Sequence, residues 1–347
     1  LAAQNHGEMA LPTTLGRTTR RWLCAVLGAL VLPLVPLLAE GAQAQARRIP
    51  RIGYLAAVSA SADAPRLSAF RKGLSDLGYV EGQSILIEYR HESGDLQRLP
   101  DLAAELLRQD IDVLVAVTSN AAQAAQRTTT TTPIVFMGVT DPIAIGLAKS
   151  LAHPGGNSTG ITNVAAILSG KRLELLKEVL PQVTRIAVMW DPQAPGSIPQ
   201  WDASQDPARK LGLTLVSMPT SHASDYATAF GEAVRSKSGA VWVTLNPVAN
   251  SNQKLIADLA LARRLPTICA RGDYAENGCM MAYGPGYGTE GKDGARYVDR
   301  ILKGARPADL PIEQPTKFEL LINLKTVKQL GLTIPRSVMN RADQVIH

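Results

Sequence analysis

Cysteine is scarce in this chain of 347 residues: three occur, at positions 24, 269 and 279, too few for a disulfide-built scaffold or a cysteine-rich metal site. Histidine is equally sparse. His6, His91, His153, His222 and His347 form no H-E-x-x-H pair, and no Asp-rich calcium loop occurs, so the sequence supports neither a metal site nor a cofactor. Aromatics make up only 5% of the chain and Lys and Arg form no long run, which excludes the basic, aromatic-interleaved groove of a nucleic-acid binder. The net charge of +6 is scattered and reads as solvated surface. After residue 46 no apolar stretch approaches the roughly 20 residues that span a bilayer.

The one long apolar run lies near the start. Arg17, Arg20 and Arg21 precede Leu23 to Ala39, and Ala42-Gln43-Ala44 or Ala44-Gln45-Ala46 follows, the order of a cleavable export signal. Residues 1–46 are read as removed, with a mature start near Gln45 or Arg47; residues 1–8 precede Met9 and receive no role. Thr19-Arg20-Arg21-Trp22-Leu23 loosely resembles a twin-arginine signal, which leaves the export route open. An uncleaved anchor is the alternative, but Pro33 and Pro36 interrupt the run. Cys24 lacks the small residues that precede a lipidated cysteine. What remains is roughly 300 residues, the length of two domains, expected to be soluble and periplasmic. In that compartment Cys269 and Cys279 could pair; two buried free thiols are the alternative.

Short β-branched runs alternate with helical patterns, the arrangement of parallel sheets covered by helices on both faces. The first half offers strands at Ile52 to Val58, Ile85 to Tyr89, Val113 to Val117 and Ile134 to Met137. Leu67, Phe70, Leu74 and Leu77, then Leu99, Leu102, Ala103, Leu106 and Leu107, recur at helical spacing. The second half offers strands at Ile186 to Trp190, Leu213 to Met218, Ala240 to Leu245, Thr267 to Ala270 and Met280 to Tyr283, with a helix over 252–264 burying Leu255, Ile256, Leu259 and Ala260. Between the halves, the Pro and Gly of residues 153–160 predict a turn leading into a crossover.

Two catalytic patterns fail on their surroundings. Gly156-Asn157-Ser158-Thr159-Gly160 fits G-x-S-x-G, but a nucleophile elbow needs a strand before it and a helix after it, and here a Pro-Gly loop precedes and an extended segment follows. Gly286 to Lys292 fits the start of a phosphate loop, yet Asp293 stands where a hydroxyl should hold magnesium. A glycine-rich strand-to-helix turn explains that segment, and no enzymatic cluster emerges.

Open α/β sheets bind ligands at the carboxyl ends of their strands. Those ends carry Ser59, Ser61, Thr118, Ser119, Asn120, Thr140 and Asp141 in the first half, and Asp191, Asn246, Arg271, Asp273 and Tyr274 in the second. Hydroxyls and amides at helix starts suit a carboxylate; an Asp suits an ammonium. Helix capping accounts for any single one of them equally well. Taken together, Thr118, Ser119, Asn120 and Asp141 are expected to face Asn246, Asp273 and Tyr274 across one cleft.

Leu77-Gly78-Tyr79-Val80-Glu81-Gly82, Ile87-Glu88-Tyr89-Arg90, Pro133-Ile134-Val135-Phe136, Asp141-Pro142, Pro154-Gly155-Gly156-Asn157, Tyr297 to Gly304 and Pro315-Thr316-Lys317-Phe318-Glu319-Leu320 closely resemble one family. It is the ABC transporter substrate-binding family that includes the tryptophan- and tyrosine-type periplasmic binding proteins. The resemblance runs from about Arg51 to His347. It implies a type I periplasmic binding fold, two Rossmann-like lobes with parallel sheets joined by three crossovers. The first lobe would take residues 48–161 plus 287–311, and the second 162–286 plus 312–347. Arg271-Gly272-Asp273-Tyr274 departs from the Arg-acidic-aromatic order expected there.

The implied function is a monomeric solute receptor for an ABC importer, closing on a small amino-acid-like ligand and delivering it to permease subunits, with the membrane reached only through the permease. An exported α/β enzyme acting on a small carboxylate is the alternative. A sugar-binding repressor would share the fold, but an export segment occupies the place of its helix-turn-helix.

Overall fold

The computed structural model describes residues 48–92, 95–286 and 288–347; residues 1–46, which the sequence reads as an export signal, lie outside them. Within the unit Ile49–His347 the chain runs β1 (Arg51–Ala56), α1 (Ala60–Asp76), β2 (Leu86–His91), α2 (Leu99–Leu107), β3 (Val113–Val117), α3 (Ser119–Thr128), β4 (Ile134–Val139) and β5 (Ser158–Thr162). These strands form one sheet, ordered β2-β1-β3-β4-β5 and parallel throughout. Strand periodicity of two divides its residues between two cores. Ile52, Tyr54, Val113, Val115 and Val117 join Phe70 and Leu74 of α1 on one face. Leu55, Leu114 and Ala116 meet Leu102, Leu106 and Ala121 of α2 and α3 on the other.

The chain continues with α4 (Ser169–Val179), β6 (Arg185–Trp190), α5 (Ile198–Lys210), β7 (Thr214–Pro219), α6 (Asp225–Arg235), β8 (Ala240–Val243), α7 (Pro247–Ser251), α8 (Gln253–Ala262), β9 (Thr267–Cys269), α9 (Gly272–Glu276) and β10 (Met281–Pro285). Then follow α10 (Thr289–Leu302), β11 (Phe318–Asn323), α11 (Leu324–Leu330), α12 (Arg336–Met339) and β12 (Gln344–Ile346). The second sheet is ordered β12-β11-β10-β9-β8-β6-β7, with β10 and β11 its antiparallel pair. Trp242, Ile268, Met281 and Ile322 fill one of its faces. Tyr226, Phe230, Val241 and Val243 fill the other.

The chain passes between the sheets three times: after β5, between β10 and α10, and before β11. Helix α10 packs against α1 and β4, on the first sheet. The crossing segments are tied to each other, since Glu313 N donates to Gly160 O and Thr162 N donates to Glu313 O, both at 3.0 Å.

Two sequence expectations change. Residues 158–160, expected in a turn, begin β5. Gly160 allows this, because a Cβ there would stand 2.0 Å from Phe136 O, so only glycine permits β5 to lie against β4. Leu255 of α8 is 40% exposed; the buried stripe runs through Gln253, Ile256, Ala257 and Ala260 instead. Cys269 and Cys279 form a disulfide that closes the loop carrying α9. No helix among the described residues is long and apolar enough to cross a membrane.

Candidate ligand-binding site

Parallel strands deliver their carboxyl ends to one side of a sheet, and here the two sheets present those ends to each other across a shared, narrow cavity. Thr118, Ser119, Asn120, Gly138, Thr140, Arg66 and Glu290 line it from the first sheet and its helices. Asn163 and Ala165 follow β5. Arg172, Gly196, Leu245, Asn246, Pro247, Asn250, Ala270 and Arg271 line it from the second.

Thr118 joins β3 to α3 with φ 82° and ψ 163°, a region that residues bearing a Cβ scarcely occupy. It is 7% exposed, and its Oγ1, like Oδ1 of Asn120, is buried without a hydrogen-bond partner. Ser119 Oγ accepts from Thr140 N at 3.2 Å, fixing the end of β4 against the start of α3. Gly196, in the loop after β6, approaches this corner closely: a Cβ on it would stand 2.7 Å from Ser119 Oγ and 3.0 Å from Thr140 Oγ1.

Three guanidinium groups line the cavity, and their surroundings differ. Arg66 is 3% exposed and donates to Asp63 Oδ1 at 2.8 Å and to Glu290 Oε1 at 2.7 Å. Asp63 also accepts from Tyr54 OH at 2.8 Å and lies 3.3 Å from His91 Nε2. Burial by itself would raise the Asp63 pKa; the His91 and Tyr54 hydrogen bonds and the Arg66 charge outweigh it and hold the carboxyl below its ordinary value. Arg271 grips Asp273 through two nitrogens, at 2.8 and 2.6 Å. Asp273 is likewise lowered: burial works against its charge, and Arg271, a Gln253 hydrogen bond and the field of Arg66 across the cavity prevail.

Arg172, on α4, is fully buried and has only carbonyl acceptors. Nε donates to Tyr283 O and Nη1 to Ala165 O, both at 2.8 Å, with Ala270 O 3.5 Å from Nη2. No carboxylate among the described residues pairs with it. Burial pushes its pKa down to about 9, so it remains charged at neutral pH.

Of the strand-end residues singled out in the sequence, the structure brings Thr118, Ser119, Asn120, Thr140, Asn246 and Arg271 to the cavity wall. Asn246 also caps α7, its Oδ1 accepting from Ala249 N. Tyr274 stands behind the wall, its hydroxyl donating to Asn250 Oδ1 at 2.8 Å. Asp273 and Ser59 line an adjoining recess. Asp191 lines another, bonded by the Ser221 hydroxyl. Asp141 caps the turn after β4 through Ile143 N and Ala144 N. Ser158 lies within β5, fully buried and donating to Leu147 O, and Lys292 is exposed beside Asp76. Arg66, Arg172, Asn163, Asn250 and Glu290 were not singled out. A signal existed for two of them: Arg66 and Arg172 occupy apolar-face positions of α1 and α4, where a charge requires an explanation.

The family described as ABC transporter substrate binding protein matches residues 51–346, nearly the whole span of the described residues. The chain belongs to that family. The tyrosine-binding protein of Clostridioides difficile (strain R20291) is 28% identical over 263 residues, 76% of this chain and 75% of that protein. The structure of an ABC domain in complex with L-Trp from Streptococcus pneumonia matches with a TM-score of 0.80 at 27% identity, covering 86% of this chain and 99% of that one. The ligand-free, open structure of a substrate binding protein with adhesive properties from Clostridium difficile gives a TM-score of 0.63 at 26% identity, over 86% and 99%. The fold of this substrate-binding protein is therefore that of the type I periplasmic binding proteins. At nearly equal identity, the TM-score to the complex with L-Trp exceeds that to the ligand-free, open form.

Proposed function

We propose that the chain is the extracytoplasmic receptor of an ABC importer, exported by the segment 1–46, and that it closes two hinged lobes on a small amino-acid-like solute, aromatic amino acids first, for delivery to permease subunits. The lobes are residues 48–161 with 287–311, and 162–286 with 312–347. One observation carries this reading: a cavity whose walls come from both sheets and bring polar and charged groups together at the strand ends, in a chain whose TM-score to the L-Trp complex is higher than to the ligand-free, open relative. Its mixture of hydroxyl, amide and guanidinium groups beside Leu245, Pro247 and Ala165 suits a solute with a charged head and an apolar body. The names of the relatives, tyrosine-binding and in complex with L-Trp, support the amino-acid class.

Refolded, ligand-free protein screened by thermal shift against the L-amino acids tests the reading. A ligand that binds only the folded state at a hundred times its Kd adds about 2.7 kcal/mol of stability. L-Tryptophan or L-tyrosine should raise the Tm, with calorimetry confirming one site. A flat response to every amino acid, with turnover of a small carboxylate, would favour the exported enzyme instead.

A further inference from the structure

Resting on the receptor reading, we propose that Arg172 is the counter-charge of a carboxylate on the solute, so that an anionic group is obligatory in whatever this cavity binds. The three guanidinium groups of the wall are not equivalent. Arg66 is neutralised by Asp63 and Glu290, and Arg271 by Asp273. Arg172 is held by the carbonyls of Ala165, Ala270 and Tyr283, which satisfy N–H geometry but supply no negative charge. A guanidinium has five N–H donors; these contacts engage three. Burying an ion without a counter-ion is costly, and Arg172, though fully buried, lines the cavity in which a ligand's counter-ion would sit.

The acids that line or back the same space, Glu290, Asp63 and Asp273, are already engaged by Arg66 and Arg271, so none is left to turn toward Arg172. The opposite wall favours the same sign. It carries the N-terminus of the ten-residue helix α3, which attracts negative charge, and beside it the buried, unpartnered Oγ1 of Thr118. A neutral sugar would bring Arg172 no counter-charge beyond the carbonyls that already hold it. A carboxylate would complete it.

Calorimetry on the refolded full-length mature chain tests this with L-tryptophan and L-tyrosine, their carboxamides, which lack the negative charge, and the corresponding deaminated acids. The amino acids should bind, the carboxamides at least about a hundredfold more weakly. Arg172→Met should lose binding to a similar degree without lowering the Tm of the ligand-free protein, and Arg172→Lys should restore part of it. Carboxamides binding as tightly as the acids, or Arg172→Met binding L-tryptophan normally, would overturn the proposal. Should Arg172→Met fail to fold, the carboxamide comparison on unaltered protein decides. Deaminated acids binding as well as the amino acids would count against an amino-acid solute while leaving Arg172 its role. If neither aromatic amino acid binds, a thermal-shift panel of other carboxylates against neutral sugars and nucleosides decides: stabilisation by carboxylates alone sustains the proposal, and stabilisation by a neutral solute ends it.

Discussion

Asp63 lies beneath the cavity wall with no exposure, holding Tyr54, Arg66 and His91. Asp63→Asn would take the charge from one carboxylate that pairs with Arg66, while Glu290 stays bonded to it; a hydrogen bond to a charged group is worth about 1.5–3 kcal/mol, and urea unfolding should show a loss of that order. The same group has a definite pH signature. Its folded pKa is lowered below the ordinary 3.8, so its stabilising effect is complete above the unfolded value and is lost as the pH falls through the folded one. The unaltered protein should therefore lose Tm on acidification below about pH 4, and Asp63→Asn should flatten part of that slope. Thr118 presents the opposite case, a residue whose geometry works against stability. Its backbone conformation costs about 1–3 kcal/mol; Thr118→Gly should relieve it, offset partly by the greater unfolded freedom of glycine, for a net gain of about 1 kcal/mol. Loss of the hydroxyl should weaken ligand binding at the same time. A variant that is both less stable and equally tight in binding would refute the link between strain and site. At this scale the sequence was legible where a polar residue follows a strand, as at Thr118, Ser119, Thr140 and Asn246. Arg66 and Arg172 were passed over although their positions carried a signal, because a periodicity argument that counts apolar positions skips the charges standing among them: α1 buries Asp63, Arg66, Phe70 and Leu74, and α4 buries Ser169, Arg172, Leu173 and Leu176.

Among the elements, the strands with continuous β-branched runs were readable from the chain, and Val113–Val117 falls where its residues predict. Strand β5 was not readable, because Ser158-Thr159-Gly160 has the composition of a turn and becomes a strand only through a tertiary contact, the close passage of Gly160 over Phe136. The disulfide was open for a related reason: spacing alone cannot say whether β9 and the approach to β10 are neighbours. They are, as adjacent parallel strands, and the bridge spans 10 positions around α9, the helix that carries Asp273 and Tyr274. Closing a loop of about this length stabilises by roughly 2–3 kcal/mol. The double variant Cys269→Ser, Cys279→Ser should lose that much in denaturant unfolding. It should also loosen the Arg271–Asp273 pair, which hydrogen exchange across residues 271–279 would detect; unchanged protection there would show that α9 is held by its hydrogen bonds to α8 rather than by the bridge.

For the molecule as a whole, the decisive contact joins the two sheets at Gly196. Its backbone meets Ser119 and Thr140 so closely that a single methyl group would intrude to 2.7 and 3.0 Å, yet Gly196 lies in a loop after β6 whose own strand packing does not require the missing side chain. If closure is a hinge motion between an open and a closed form, stabilised only by contacts made when closed, then Gly196→Ala acts on one form and not the other. The open form has no crowding at this position, whereas the closed form incurs an overpacking cost of about 1–3 kcal/mol. Ligand affinity, which includes the free energy of closing, should fall by roughly ten- to a hundredfold, while the Tm of the ligand-free protein stays unchanged. Small-angle scattering with ligand near its unaltered Kd should show a larger radius of gyration for Gly196→Ala than for the unaltered protein, and the two should converge at saturating ligand, since enough ligand pulls either population closed. An equal fall in Tm for ligand-free Gly196→Ala would mean that the loop itself needs the glycine, and closure would then have to depend on other contacts between the sheets.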